Sequence, residues 1–154
     1  MQNTNEVDDI VFEIVDGEDD PRKDELKKSL REFNESIIGK YTSKTKVILS
    51  LKDDRVIGGI VGYMTLGWLH IDLLCVEERY RKKGIGKKLL SAIEKIAKSN
   101  NIYRSKLNTG NFQTGYEFYL SQGYEEFTKL AITPEFGEST TIYYDYYMKK
   151  DLSK

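Results

Sequence analysis

One cysteine, Cys75, and one histidine, His70, are all the chain has of the two residues that most often hold soft metals. A lone cysteine excludes an intrachain disulfide and a cysteine-based metal cluster. A lone histidine excludes a histidine-rich metal site. An excess of one charge is missing too: 24 Lys+Arg face 25 Asp+Glu, a formal net charge of −1 over 154 residues. A general nucleic-acid binder needs a clear basic excess. No apolar run approaches the roughly 18 residues of a membrane span. The polar, acidic opening Met1 to Asp9 is unlike a signal peptide. These absences predict a cytoplasmic protein without metal, nucleic acid or membrane among its partners.

What is present suits a folded domain. Hydrophobic residues make up 39% and charged residues 32%, a globular balance, at a length that favours one domain. Residues 1–9 read as a flexible N-terminus and 10–154 as a single domain. Ile10 to Val15 reads as a first strand, followed by the acidic run Asp16 to Asp20. Asp20-Pro21 is a helix start, and Leu26, Leu30, Phe33 and Ile37 mark an apolar helical face ended by Gly39. Strands follow over Val47–Leu51, Val56–Leu66 and Trp68–Val76. Ile85, Leu89, Leu90, Ile93, Ile96 and Ala97 give the clearest helical period in the chain. A short strand at Ser105–Asn108, a short helix at Gly115–Ser121 and two strands around a Pro134–Gly137 turn complete a mixed α/β order.

The chemistry concentrates between Val76 and Leu90. An apolar strand ends, and Arg81-Lys82-Lys83-Gly84-Ile85-Gly86-Lys87-Lys88 opens directly into the best helix. Unpaired N–H groups at a helix start attract an anion. The glycines let backbone approach it closely, and Arg81, Lys82, Lys83, Lys87 and Lys88 add neutralising charge. A pyrophosphate fits such a loop. The Walker A pattern is absent, and Leu89 stands where the dinucleotide fingerprint requires its third glycine, so a nucleotide-binding reading is disfavoured.

Arg81-x-x-Gly84-x-Gly86 resembles the Arg/Gln-x-x-Gly-x-Gly/Ala signature of the GNAT superfamily of N-acetyltransferases. Leu73-Leu74-Cys75-Val76 resembles the end of that family's fourth strand, and Phe118-Tyr119-Leu120-Ser121-Gln122-Gly123-Tyr124 its Phe/Leu-Tyr-x-x-x-Gly-Phe/Tyr motif. The matching region runs from about Trp68 to Phe127. The resemblance implies a single-domain fold with a mixed, mostly antiparallel sheet, flanked by helices and splayed between its fourth and fifth strands. It implies acetyl-CoA as cosubstrate and no metal. The backbone of Arg81, Lys82, Lys83, Gly84, Ile85, Gly86 and Lys87 would hold the pyrophosphate. Leu74, Cys75 and Val76 would pair with the pantetheine arm. Tyr119 would be the general acid for the departing thiolate. The histone-acetylating branch carries a glutamate base six residues before the strand-end aliphatic residue; counted back from Val76 that position is His70, whose ordinary pKa suits neutral pH. Asp72, two residues on, is expected to share His70's face of the strand and to orient it, act through water or bind the amine. Glu77 and Glu78 are weaker candidates.

One departure concerns the loop before Tyr119. Many members carry Asn seven residues and Ala four residues before the tyrosine; here those positions are Phe112 and Gly115. Asn108 and Asn111 lie near enough to replace the missing amide. The expected activity is acetyl transfer to a primary amine, on a small molecule or a peptide, by direct attack in a ternary complex. The alternative is a CoA-binding sensor or assembly module without turnover. The aromatic run Tyr143 to Tyr147 reads as a half-buried strand, or as an acceptor wall or homodimer seam. The Asp16–Asp20 run reads as a solvated loop, or as an attractor of cationic amines.

Overall fold

Asp53 and Asp54 both take left-handed backbone, φ 50° and 58°. That is the two-residue turn whose twist matches an antiparallel hairpin, and it joins β1 (Lys44–Lys52) to β2 (Arg55–Thr65). Leu66 and Gly67, φ 48° and 77°, repeat the device between β2 and β3 (Trp68–Val76). The chain then runs through a short 3-10 turn at Glu78–Tyr80, α2 (Ile85–Ser99), β4 (Arg104–Gly110), α3 (Gly115–Ser121), β5 (Glu125–Ile132) and β6 (Tyr143–Asp151). In this computed structural model residues 10–16, 19–133 and 141–154 are described. The flexible N-terminus expected over 1–9, part of the acidic run (17 and 18) and the Pro134–Gly137 turn lie outside them.

Two compact units make up the chain, one within the first forty residues and one from Tyr41 to Lys154. In the first, α1 (Arg22–Ile38) ends at Gly39, φ 81°. Its start is held by Asp20, whose Oδ1 accepts from the Arg22 amide at 2.9 Å. Ile10 to Val15 is not a strand. Its apolar, β-branched composition supplies propensity, but a strand exists only where a second strand accepts its backbone hydrogen bonds.

Among the described residues of the second unit six strands form one sheet in the order β1-β2-β3-β4-β6-β5. Only β3 and β4 run parallel; every other neighbour is antiparallel. The fold is the expected mixed α/β fold. The fourth and fifth strands of the sequence reading are β3 and β4 once Ile10–Val15 is removed from the count. Leu89, Leu90, Ile93 and Ala97 of α2 pack on Ile60, Met64, Leu69 and Ile71, joined by Leu107, Tyr119, Tyr124 and Met148. The helix lies so close to β2 that a Cβ on Gly62 would stand 2.8 Å from Ile93 Cδ1 and 2.9 Å from the His70 carbonyl oxygen. Among the described residues no helix is long and apolar enough to cross a membrane.

Glu94 is charged and yet belongs to this helix's buried face. Its carboxylate accepts from Lys150 Nζ at 2.9 Å on both oxygens and from the Tyr124 hydroxyl at 3.1 Å. Tyr124 in turn shares a 2.7 Å hydrogen bond with Ser105 Oγ. One polar chain thus ties α2, β4, β6 and the segment after α3. Burial pushes the Tyr124 phenol well above its ordinary pKa.

Candidate active site

β3 and β4 pair at only two positions, Leu69 with Ser105 and His70 with Lys106. β3 nevertheless continues to Val76 and β4 to Gly110. The strands therefore part immediately after His70. Beyond that point one side of Leu74, Cys75 and Val76 has no strand beside it among the described residues, while the other side pairs with Ile60, Gly59 and Gly58 of β2. Backbone donors and acceptors on an unpaired strand edge can take an extended ligand as an added strand.

The basic loop is fixed to the end of β3. Arg81 Nε donates to the Val76 carbonyl at 2.9 Å. Lys82 and Gly84 take left-handed backbone, φ 58° and 81°, and Gly84 is the residue from which α2 starts. The Lys88 amide donates to Gly84 O at 3.0 Å. The amides of Ile85, Gly86 and Lys87 precede that first bond and have no carbonyl inside the helix to donate to. A Cβ on Gly86 would lie 3.5 Å from Phe118 Cζ and 4.0 Å from Val76 Cγ2. The strand end, the glycine loop and the tyrosine-bearing helix α3 thus meet at one place. Lys83 Nζ stands 5.6 Å over the Tyr80 ring, which Arg79 and Lys52 also approach, at 4.9 and 5.5 Å. Tyr80 was not singled out in the sequence, yet it gathers three cations at the loop.

Tyr119 is buried in the core cluster, its ring edge-on to Phe118 at 5.2 Å and to Tyr124 at 5.6 Å. Its hydroxyl makes no hydrogen bond with a described residue. Burial pushes its pKa up to about 12, so it stays protonated through the neutral range. Gly115 explains one departure from the family pattern. A Cβ there would stand 2.6 Å from Thr109 Oγ1 and 3.3 Å from Tyr119 Cε2; with Thr109 on β4, alanine no longer fits without a shift. Both asparagines have partners. Asn108 Nδ2 donates to Asp145 Oδ2 at 2.9 Å. Asn111 Oδ1 accepts from the Tyr144 amide at 3.0 Å, and the Asn111 amide donates to Tyr144 O, extending the β4–β6 pairing beyond Gly110.

His70 is half-buried, stacked on Tyr63 of β2 with ring centroids 4.5 Å apart and planes at 15°. Burial, aided by the nearby Lys106 ammonium, lowers its pKa. Asp72 does not follow the expected alternation. Val61 faces Leu73 and Gly62 faces Ile71, so Asp72 is the extra residue of a β-bulge, which breaks the period of two. It is exposed and makes no hydrogen bond or ion pair with His70 or any other described residue. Glu77 is committed elsewhere, to Arg55 at 2.6 and 3.1 Å and to Arg79 at 3.2 Å. Among the described residues no three His, Cys, Asp or Glu side chains gather as a metal site.

A sheet parted beside a glycine-started helix is the architecture of an acyl-CoA-using transferase, and the chain belongs to the Acetyltransferase (GNAT) family, matching it over residues 11–124. Over 101 residues it is 31% identical to Acetyltransferase Atu2258 of Agrobacterium fabrum, covering 65% of this chain and 74% of that one. A solved acetyltransferase structure from Agrobacterium tumefaciens superposes with a TM-score of 0.80 at 25% identity, covering 92% of this chain and 99% of the other. An acetyltransferase from Bacillus cereus gives 0.76 at 26%, covering 91% and 98%. The protein is an N-acetyltransferase, and its general chemistry is acetyl transfer from acetyl-CoA.

Proposed function

We propose that the protein moves the acetyl group of acetyl-CoA to a primary amine by direct attack in a ternary complex. The observation that carries this reading is the parting of β3 from β4 directly after the His70–Lys106 pair. The pyrophosphate would lie on the backbone from Arg81 to Lys87, with the pantetheine arm along Leu74 to Val76. The thioester would then enter the gap that His70 borders. His70 takes a proton from the acceptor ammonium. The neutral amine attacks the thioester carbonyl, the C–S bond breaks, Tyr119 gives its proton to the departing thiolate, and the proton shed by the new amide nitrogen returns to the Tyr119 oxygen. Asp72 is left as an exposed charge near the gap, without a hold on His70.

The pH profile tests the base. A base acts in its neutral form, and the His70 pKa is lowered. Tyr63 on β2 and Lys106 on β4 are the side chains that face it. The acid limb of kcat/KM should therefore lie below the ordinary imidazole value of about 6.5, with His70 fully active at pH 7. His70→Gln should remove that limb and lower kcat/KM about 10²-fold. An unchanged limb in the variant rejects His70 as the base.

A further inference from the structure

We propose that the acceptor carries an anionic group a few bonds from its amine, bound by Arg104 and Lys106. This rests on the transferase reading and on His70 as the point where the amine is held. Trp68 and His70 alternate on one face of β3, before the bulge at Asp72. Lys106 is the direct register partner of His70, and Arg104 lies two residues before it on β4. The Arg104 guanidinium stands 4.8 Å over the Trp68 ring and the Lys106 ammonium 5.6 Å over it.

Arg22, Lys27, Lys28, Arg31, Arg55, Arg79, Lys149 and Lys150 each have a carboxylate within 4 Å. Arg104 and Lys106 have none among the described residues; they rest on a neutral indole. Other cations without a carboxylate among the described residues, such as Lys52, Lys83 and Lys129, also rest on aromatic rings; what distinguishes Arg104 and Lys106 is that they do so beside His70. A cation–π contact holds a cation in place without cancelling its charge. The turn adds to the positioning: a Cβ on Gly67 would come 2.7 Å from Arg104 Nη2, so the guanidinium lies across the glycine. The nearest further cation along the strands, Lys149 opposite Lys106, is already paired with Glu125 at 3.5 Å. Asp151 is the register partner of Arg104, but its carboxylate is engaged by the Ser153 amide and hydroxyl and makes no ion pair with the guanidinium. Two positive charges without an ion-pair partner among the described residues therefore stand beside the proposed base. Lys106 is also felt at the ring, where it helps to lower the His70 pKa.

This arrangement selects among amines. A diamine, polyamine or lysine-rich peptide would bring a second positive charge toward Arg104 and Lys106, and like charges repel. An acceptor with a carboxylate or phosphonate would place it on the guanidinium, which receives such groups on two N–H donors. Same-face neighbours on a strand are about 6.6 Å apart. The anion and the amine must then be separated by roughly that distance or less, as in a short amino acid.

The test measures thiol release from acetyl-CoA with three matched series: aliphatic amino carboxylates of two to five carbons, their uncharged amides, and diamines of the same length. The carboxylates should be preferred over the amides by about tenfold in kcat/KM, through KM, and the diamines should be poorest. Lys106→Gln and Arg104→Gln should each remove most of that preference. Lys98→Gln, a cation at the far end of α2, should leave it intact. Equal or better turnover of amides or diamines overturns the inference while the transferase reading stands. A carboxylate preference that survives both Lys106→Gln and Arg104→Gln overturns it too. A folded protein that fails to bind acetyl-CoA fails at the earlier step and removes both.

Discussion

Tyr119→Phe should lower the rate of thiol release by about 10²- to 10⁴-fold while leaving the protein folded. The hydroxyl that is lost makes no hydrogen bond with a described residue, and the ring's contacts with Phe118 and Tyr124 are kept. Removing a hydroxyl that holds no other part of the fold costs little stability. Acetyl-CoA affinity should also change little, because the proposed cofactor contacts are backbone groups on other elements. Tyr124→Phe is the matched comparison. Its hydroxyl bridges Ser105 and Glu94 at 2.7 and 3.1 Å. Losing it should cost about 1–3 kcal/mol of stability, with a far smaller effect on kcat. Calorimetry beside single-turnover kinetics separates the two tyrosines. If both variants lose stability and neither loses rate, Tyr119 is a packing residue.

Lys150→Met should be the most destabilising single substitution on the buried polar chain, by about 2–4 kcal/mol. The Glu94 side chain is 11% exposed and Lys150 22%. Taking away the ammonium leaves a carboxylate in the core with only the Tyr124 hydroxyl to meet it. The reverse change, Glu94→Gln, should cost less, because the Lys150 head group can move toward water on its flexible stem. The double variant Lys150→Met with Glu94→Leu should recover part of the loss, since an apolar pair of similar size often replaces a buried ion pair without penalty. For a chain of this length the single change corresponds to a drop in Tm of roughly 5–15 °C. A Tm unchanged in Lys150→Met would mean that the ion pair contributes nothing to the fold.

Much of this architecture is legible in the sequence wherever local rules decide it. The apolar period from Ile85 to Ala97 locates α2, and Gly115 to Ser121 matches α3 to the residue. Asp53-Asp54 and Gly67 mark the hairpin turns. The loop from Arg81 to Gly86 is readable because its glycines and charges are contiguous. What was misread depends on partners far away in the chain. Ile10 to Val15 has strand composition but is not a strand, because composition names no pairing partner. The bulge at Asp72 follows from how β3 registers against Val61 and Gly62, which no period within β3 reveals. Tyr63 under His70, and Trp68 under Arg104 and Lys106, are cross-strand pairs of the same kind. Glu94 did leave a trace: with Leu90 four residues before it and Ala97 three after, it shares the apolar face of its helix, the position of a buried charge that needs a partner.

The central claim is that the glycine loop opening α2 holds acetyl-CoA, and isothermal titration of wild type, Gly84→Ala and Gly84→Glu tests it most directly. Gly84 has φ 81°, and a Cβ there would meet nothing within 4 Å. Both variants therefore carry the same left-handed backbone cost of about 1–2 kcal/mol, and only the glutamate adds a negative charge at the helix start. Wild type should bind acetyl-CoA saturably, Gly84→Ala should bind it more weakly, and Gly84→Glu should lose about 100-fold or more in affinity. No binding to folded wild type at millimolar acetyl-CoA, or equal affinity in wild type and Gly84→Glu, would contradict the account.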